Sequence, residues 1–189
     1  LMRTLPNMIV IVPADAEEAR KATVAAAKAG KPVYLRFGRS PLPVFTTPAS
    51  PFAIGQANVL FESKQPQVTL IACGALVYST LLAAHALEER GIGSIVINNH
   101  TVKPLDADTI LAAVKKTGAV VSIEEHQIAG GMGSAVAELL SQRYPVPQEY
   151  IGVHDMFGQS GEPDQLIEHY GMGVSHIVAA AKKVISREA

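Results

Sequence analysis

The stretch from Ala119 to Leu140 constrains this chain more than any other. A short apolar run, Ala119-Val120-Val121-Ser122-Ile123, ends in Glu124-Glu125-His126, passes the glycine-rich turn Gly130-Gly131-Met132-Gly133, and continues as an amphipathic run. Strand, loop, helix is the unit from which open parallel sheets are built. Such sheets place their sites just beyond the carboxyl ends of the strands, and the charged trio stands there. Gly133 lets the helix start lie close to a neighbour. A helix N-terminus after such a turn can hold an anion on its free N–H groups. However, the third glycine of the dinucleotide fingerprint is missing, and no Gly-Lys-Ser/Thr follows. Tight packing of helix on sheet is therefore the favoured reading.

The rest of the chain repeats the alternation. Met8 to Val12 reads as a buried strand. Asp15 then caps a helix that runs to Ala29, with Glu18 in capping-box spacing, and residues 32–37 form a second strand. One β-α-β unit needs further strands beside it, so the chain is expected to begin inside a domain. Pro41, Pro43, Pro48 and Pro51 forbid regular structure and mark an extended linker. Beyond it we expect an edge strand over 57–62, a strand over 68–73, a helix over 76–89 and a strand over 93–98. A helix over 107–116, the central unit, a strand over 148–153 and a helix over 174–186 complete the pattern. The fold class is α/β: an open, mostly parallel sheet with helices on both faces, preceded by the β-α-β unit.

Apolar residues make up 48% of the 189 and charged residues 17%, which indicates a soluble globular chain. A formal charge of −1 offers no basic field for nucleic acid and no polybasic patch for a membrane. No apolar run is long enough to span a bilayer, and no signal-peptide pattern is seen, so a cytoplasmic location is expected. Cys73, the single cysteine, lies in an apolar run and reads as a small buried hydrophobe. No histidine pair has the i, i+4 spacing of a zinc protease, so no metal ligand is assigned.

Two sets of residues remain as site candidates. Arg39, in Phe37-Gly38-Arg39-Ser40-Pro41-Leu42-Pro43, stands at a strand's carboxyl end, where it either receives a phosphate or carboxylate bidentately or is simply solvated. Glu124, Glu125 and His126 form either an acid/base group or interface and solvated residues at a strand end.

Several segments resemble transketolases. Met2 to Glu18 looks like the closing part of their pyrimidine-binding domain, and Gly38-Arg39-Ser40-Pro41-Leu42-Pro43 resembles the arginine motif that ends it. Thr101-Val102-Lys103-Pro104-Leu105-Asp106 and Ser122 to Gln127 with the glycine turn resemble the carboxyl-terminal transketolase domain. Phe157-Gly158-Gln159-Ser160-Gly161-Glu162-Pro163 is similar to the split transketolases, whose halves are separate chains. The resemblance divides the chain into a pyrimidine-domain remnant (1–40), a linker (41–52) and the carboxyl-terminal domain (53–189).

This resemblance implies a thiamine diphosphate enzyme that moves a two-carbon ketol unit between sugar phosphates, as in the pentose phosphate pathway. It implies that Arg39 contacts the substrate phosphate. Glu124, Glu125 and His126 then become interface or site-edge residues. Thiamine diphosphate and Mg belong to the complete enzyme, with none expected on this chain alone, because the segments that hold them lie upstream. No catalytic residue is assigned. The implied partners are a second copy, in a homodimer, and an N-terminal transketolase half. The alternative is a non-catalytic dimerisation or docking domain of deoxyxylulose-phosphate synthase or of a 2-oxoacid dehydrogenase beta subunit.

Overall fold

The computed structural model describes residues 1–187. After a short turn of 3-10 helix (Met2–Thr4), the chain forms β1 (Ile9–Ile11), α1 (Ala16–Lys28) and β2 (Val33–Leu35). Asp15 caps α1 as its sequence predicts, accepting from Glu18 N at 2.9 Å. Glu18 differs slightly from the standard box: its carboxylate reaches past the cap and accepts from Ala14 N at 2.6 Å. From Arg36 to Ala57 there is no helix or strand, as four prolines require.

β3 (Asn58–Glu62), β4 (Pro66–Ala72), α2 (Leu76–Glu88), β5 (Gly93–Asn98) and β6 (Thr101–Lys103) follow. Then come α3 (Ala107–Thr117), β7 (Val120–Gln127), α4 (Met132–Arg143), β8 (Gln148–Val153), α5 (Pro163–His169) and α6 (Val174–Ile185). The main sheet has the order β3-β5-β4-β7-β8, parallel except where β3 runs antiparallel along β5. Side-chain alternation along β4 distributes the core to both faces. Val68, Leu70 and Ala72 pack with α2 and α6 through residues such as Val77, Leu87, Ile177 and Val184. Ile71 packs on the other face with Ile110 and Val114 of α3 and with Met132 and Val136 of α4.

Three features depart from the sequence expectation. β4, not β7, lies at the centre of the sheet. β7 runs on through Glu124, Glu125 and His126 to Gln127, so the trio lies within the strand end and not beyond it. α5 has no counterpart in the expected elements, although Pro163 at its start and Asp164 in its first turn are standard N-terminal signals.

The β-α-β unit finds its missing neighbour in β6, which pairs antiparallel with β1 and makes a second sheet ordered β2-β1-β6. Chain from beyond the proline-rich segment thereby extends it, and residues Asn99 and His100 carry the chain from one sheet to the other.

Candidate functional site

In the main sheet the chain leaves β4 toward β5 on one side and leaves β7 toward β8 on the other. The crevice between the carboxyl ends of β4 and β7 is thus a topological switch point, where ligands of such sheets bind. Two cavities flank it. The smaller, about 260 Å³, is lined by Arg3, Arg36, Cys73, Glu124, His126 and Met132. The larger, about 560 Å³, is lined by residues including Arg39, Leu42, Tyr78, Glu125, Gln159 and Tyr170.

Strand alternation divides the charged trio between them. Glu124 is 5% exposed and turns onto the start of α4, where its carboxylate accepts from Met132 N at 2.7 Å and Gly133 N at 2.8 Å. The anion seat of that helix is therefore filled by the protein's own carboxylate. Burial pushes the Glu124 carboxyl above its usual range, against the pull of those two N–H groups, His126 and Arg36. His126 is exposed, donates from Nδ1 to the Gln127 carbonyl at 2.7 Å, and lies 4.0 Å from Glu124. Glu125 points the other way, into the larger cavity with Arg39. The trio is thus split, Glu124 and His126 on the smaller cavity and Glu125 on the larger. Arg39 and Glu125 line the same cavity.

The glycine turn is explained by the same contact. A Cβ at Gly131 would meet both carboxylate oxygens of Glu124, and one at Gly133 would meet Ser122 Oγ and stand 2.8 Å from a Tyr150 ring carbon. Close packing of helix on sheet, as expected, requires both. Gly131→Ala is expected to lower stability by about 1–3 kcal/mol, the usual cost of overpacking. An unchanged urea midpoint would show that Glu124 does not fill the turn.

Arg39 is exposed and, among the described residues, has no hydrogen bond or ion pair. Cys73 is buried as expected, which pushes its thiol up and leaves it unreactive. The sequence singled out the segments of Gln127 and Phe157 but gave no sign of the contacts they make. Gln127 pins the segment after β8, donating to Met156 O at 2.7 Å and accepting from Asp155 N at 3.0 Å. Tyr170 Oη holds Phe157 O at 3.0 Å, so a fully exposed Phe157 is carried on an anchored loop.

Comparison with known proteins agrees with this architecture. A transketolase C-terminal domain model matches residues 55–177. Over 188 residues the chain is 40% identical to the 6-deoxy-6-sulfo-D-fructose transketolase subunit SqwH of Clostridium sp. (strain MSTE9), covering 100% of this chain and 58% of that protein. It is 34% identical to an apulose-4-phosphate transketolase subunit of Phocaeicola vulgatus, covering 99% of this chain and 59% of that one. A solved split-gene transketolase, described as an inactive β4 tetramer, superposes with a TM-score of 0.95 at 42% identity, covering 100% of this chain and 61% of that one. The chain thus spans less than two thirds of these relatives. None of the three is a deoxyxylulose-phosphate synthase or a 2-oxoacid dehydrogenase. From the family match over residues 55–177, the chain belongs to the transketolase C-terminal domain family.

Proposed function

We propose that this chain is the carboxyl-terminal portion of a thiamine diphosphate-dependent transketolase, moving a two-carbon ketol unit between sugars that carry an oxyanion. The observation that carries this reading is Arg39. An exposed guanidinium without a partner among the described residues, on the wall of a 560 Å³ cavity at the strand ends, suits bidentate capture of a phosphate or sulfonate. The two curated relatives are named for a sulfonated and a phosphorylated sugar, so an oxyanion is what their substrates share.

The same reading assigns the cofactor to another part of the enzyme. Thiamine diphosphate supplies the carbanion chemistry, and its diphosphate needs a metal and free acidic or amide ligands. Of the strand-end carboxylates, Glu124 is committed to α4 and Asp106 to Ala57 N and Thr109 N, while Glu125 faces the cavity that Arg39 also lines. Among the described residues no group of three or more His, Cys, Asp or Glu could hold a metal. These residues do not fit the group. An N-terminal half or subunit is the proposed holder of cofactor and Mg, with this portion serving dimerisation and completion of the site. The open edge of β2, with Tyr34 and Phe37 exposed beside it, supports association with further strands or a second copy. A cytoplasmic location belongs to the same reading. Among the described residues no helix is long and apolar enough to cross a membrane.

The test is substrate-selective. In the assembled enzyme, Arg39→Ala is expected to lower kcat/KM for a ketose phosphate about tenfold to a hundredfold, the loss of one charge-assisted contact of about 1.5–3 kcal/mol. The same ketose without its phosphate should be unaffected. Equal losses on both forms would remove the assignment.

A further inference from the structure

Arg39 sits on a segment that does not hold itself. Among the described residues, none from Phe37 to Val44 makes a hydrogen bond, and Pro41 and Pro43 have no N–H to offer. The segment is an arch between two anchors. On its upstream side Arg36 N donates to Ile11 O at 2.9 Å, which continues the pairing of β2 with β1. Downstream, the first anchor is one carboxylate. Asp15 accepts from Phe45 N at 3.0 Å, from Thr46 N at 2.7 Å and from Thr46 Oγ1 at 2.7 Å, while also capping α1 through Glu18 N.

Asp15 is 4% exposed, and these four donors satisfy it in full. Lys21, nearly two turns further along α1, continues the same seam by donating to Thr47 O and Ser50 O.

We infer that Asp15 is a positioning residue for Arg39: its clamp on Phe45 and Thr46 sets the span and direction of the arch that presents the guanidinium to the cavity. This rests on the oxyanion role proposed for Arg39. The physical argument is one of chain geometry. An eight-residue arch without internal hydrogen bonds takes its shape from its ends, and a guanidinium must lie within about 0.5 Å of its productive position to keep a bidentate contact. Freeing the downstream end widens the set of arch conformations, so the cost falls on binding of the charged group and not on the carbon chemistry. A helix cap with no further duty would show no such selectivity.

Asp15→Asn in the full-length subunit, assembled with its cofactor-binding partner, tests this against a matched pair of a ketose phosphate and the same ketose unphosphorylated. We expect KM for the phosphorylated form to rise about threefold to tenfold, with kcat on the unphosphorylated form unchanged. Thr46→Val, which deletes one hydroxyl and leaves the cap intact, should give a smaller shift of the same selectivity and keeps the question open to measurement if Asp15→Asn folds poorly. In the Arg39→Ala background Asp15→Asn should cost nothing further on the phosphorylated form. If Arg39→Ala is itself unselective, the oxyanion reading falls, and this inference with it. If Arg39→Ala is selective but Asp15→Asn and Thr46→Val affect both ketoses equally, or add fully to Arg39→Ala, the positioning role alone is overturned.

Discussion

Replacing Glu124 by alanine is expected to destabilise the fold by about 2–4 kcal/mol, since an unpaired buried N–H costs about 1–3 kcal/mol and two would be left. Met132 N and Gly133 N are the donors concerned, and α4 has no other side-chain cap. Part of the cost is offset, because burial disfavours the Glu124 carboxylate and its removal relieves that penalty. The balance stays unfavourable, since the buried helix start also loses the negative charge that faces its dipole. Urea unfolding measures the total. Amide exchange locates it: Met132 and Gly133 should exchange faster in the variant while β4 amides follow global stability. A loss below about 0.5 kcal/mol would mean that water or a neighbour replaces the carboxylate.

Such a role is hard to see in a sequence. Charged residues at a strand end are usually solvated or functional, whereas Glu124 is buried against the start of a helix. Its partners lie across the turn, and only the glycines at 131 and 133 hint that something large fills the space beside them. What was legible followed local periodicity: the buried runs of β4 and β5 and the Asp15 cap all stand where side-chain chemistry alone puts them. What was not legible is long-range. Val10 pairs with Lys103 and Ile11 with Thr101, and a three-residue strand leaves no mark that names its partner. α5 was hidden by brevity, its Pro163 start following a Gly-rich loop. The meeting of Arg39 with Glu125 in one cavity, and of Thr46 with Asp15, likewise depends on how the arch folds back over α1.

Glu18 should make stability respond to pH in a direction opposite to His100, and a single substitution should separate them. Burial raises the Glu18 carboxyl from 4.5 to about 7, against hydrogen bonds from Ala14 N and Asn98 Nδ2. The folded chain therefore holds this proton more tightly than the unfolded chain does. Stability from this group is full below pH 4.5 and is lost as pH rises toward 7, by about 3 kcal/mol at 1.36 kcal/mol per unit. His100, 0% exposed and stacked on Phe52 at 4.3 Å, is lowered from 6.5 to about 4 by burial. Its contribution is full above pH 6.5 and is lost as pH falls toward 4, by a similar amount. Between pH 4.5 and 6.5 the two slopes oppose each other, so those two groups together leave the parent profile shallow. Glu18→Gln keeps an acceptor for Ala14 N without a charge and removes only one slope. The variant should match the parent near pH 4.5, exceed it by up to about 3 kcal/mol above pH 7, and lose stability steeply on acidification. The difference between the two urea-derived curves isolates Glu18, because His100 is common to both. A difference that stays constant from pH 4.5 to 8 would show that Glu18 does not titrate in this range, and that the Ala14 and Asn98 contacts hold it ionised.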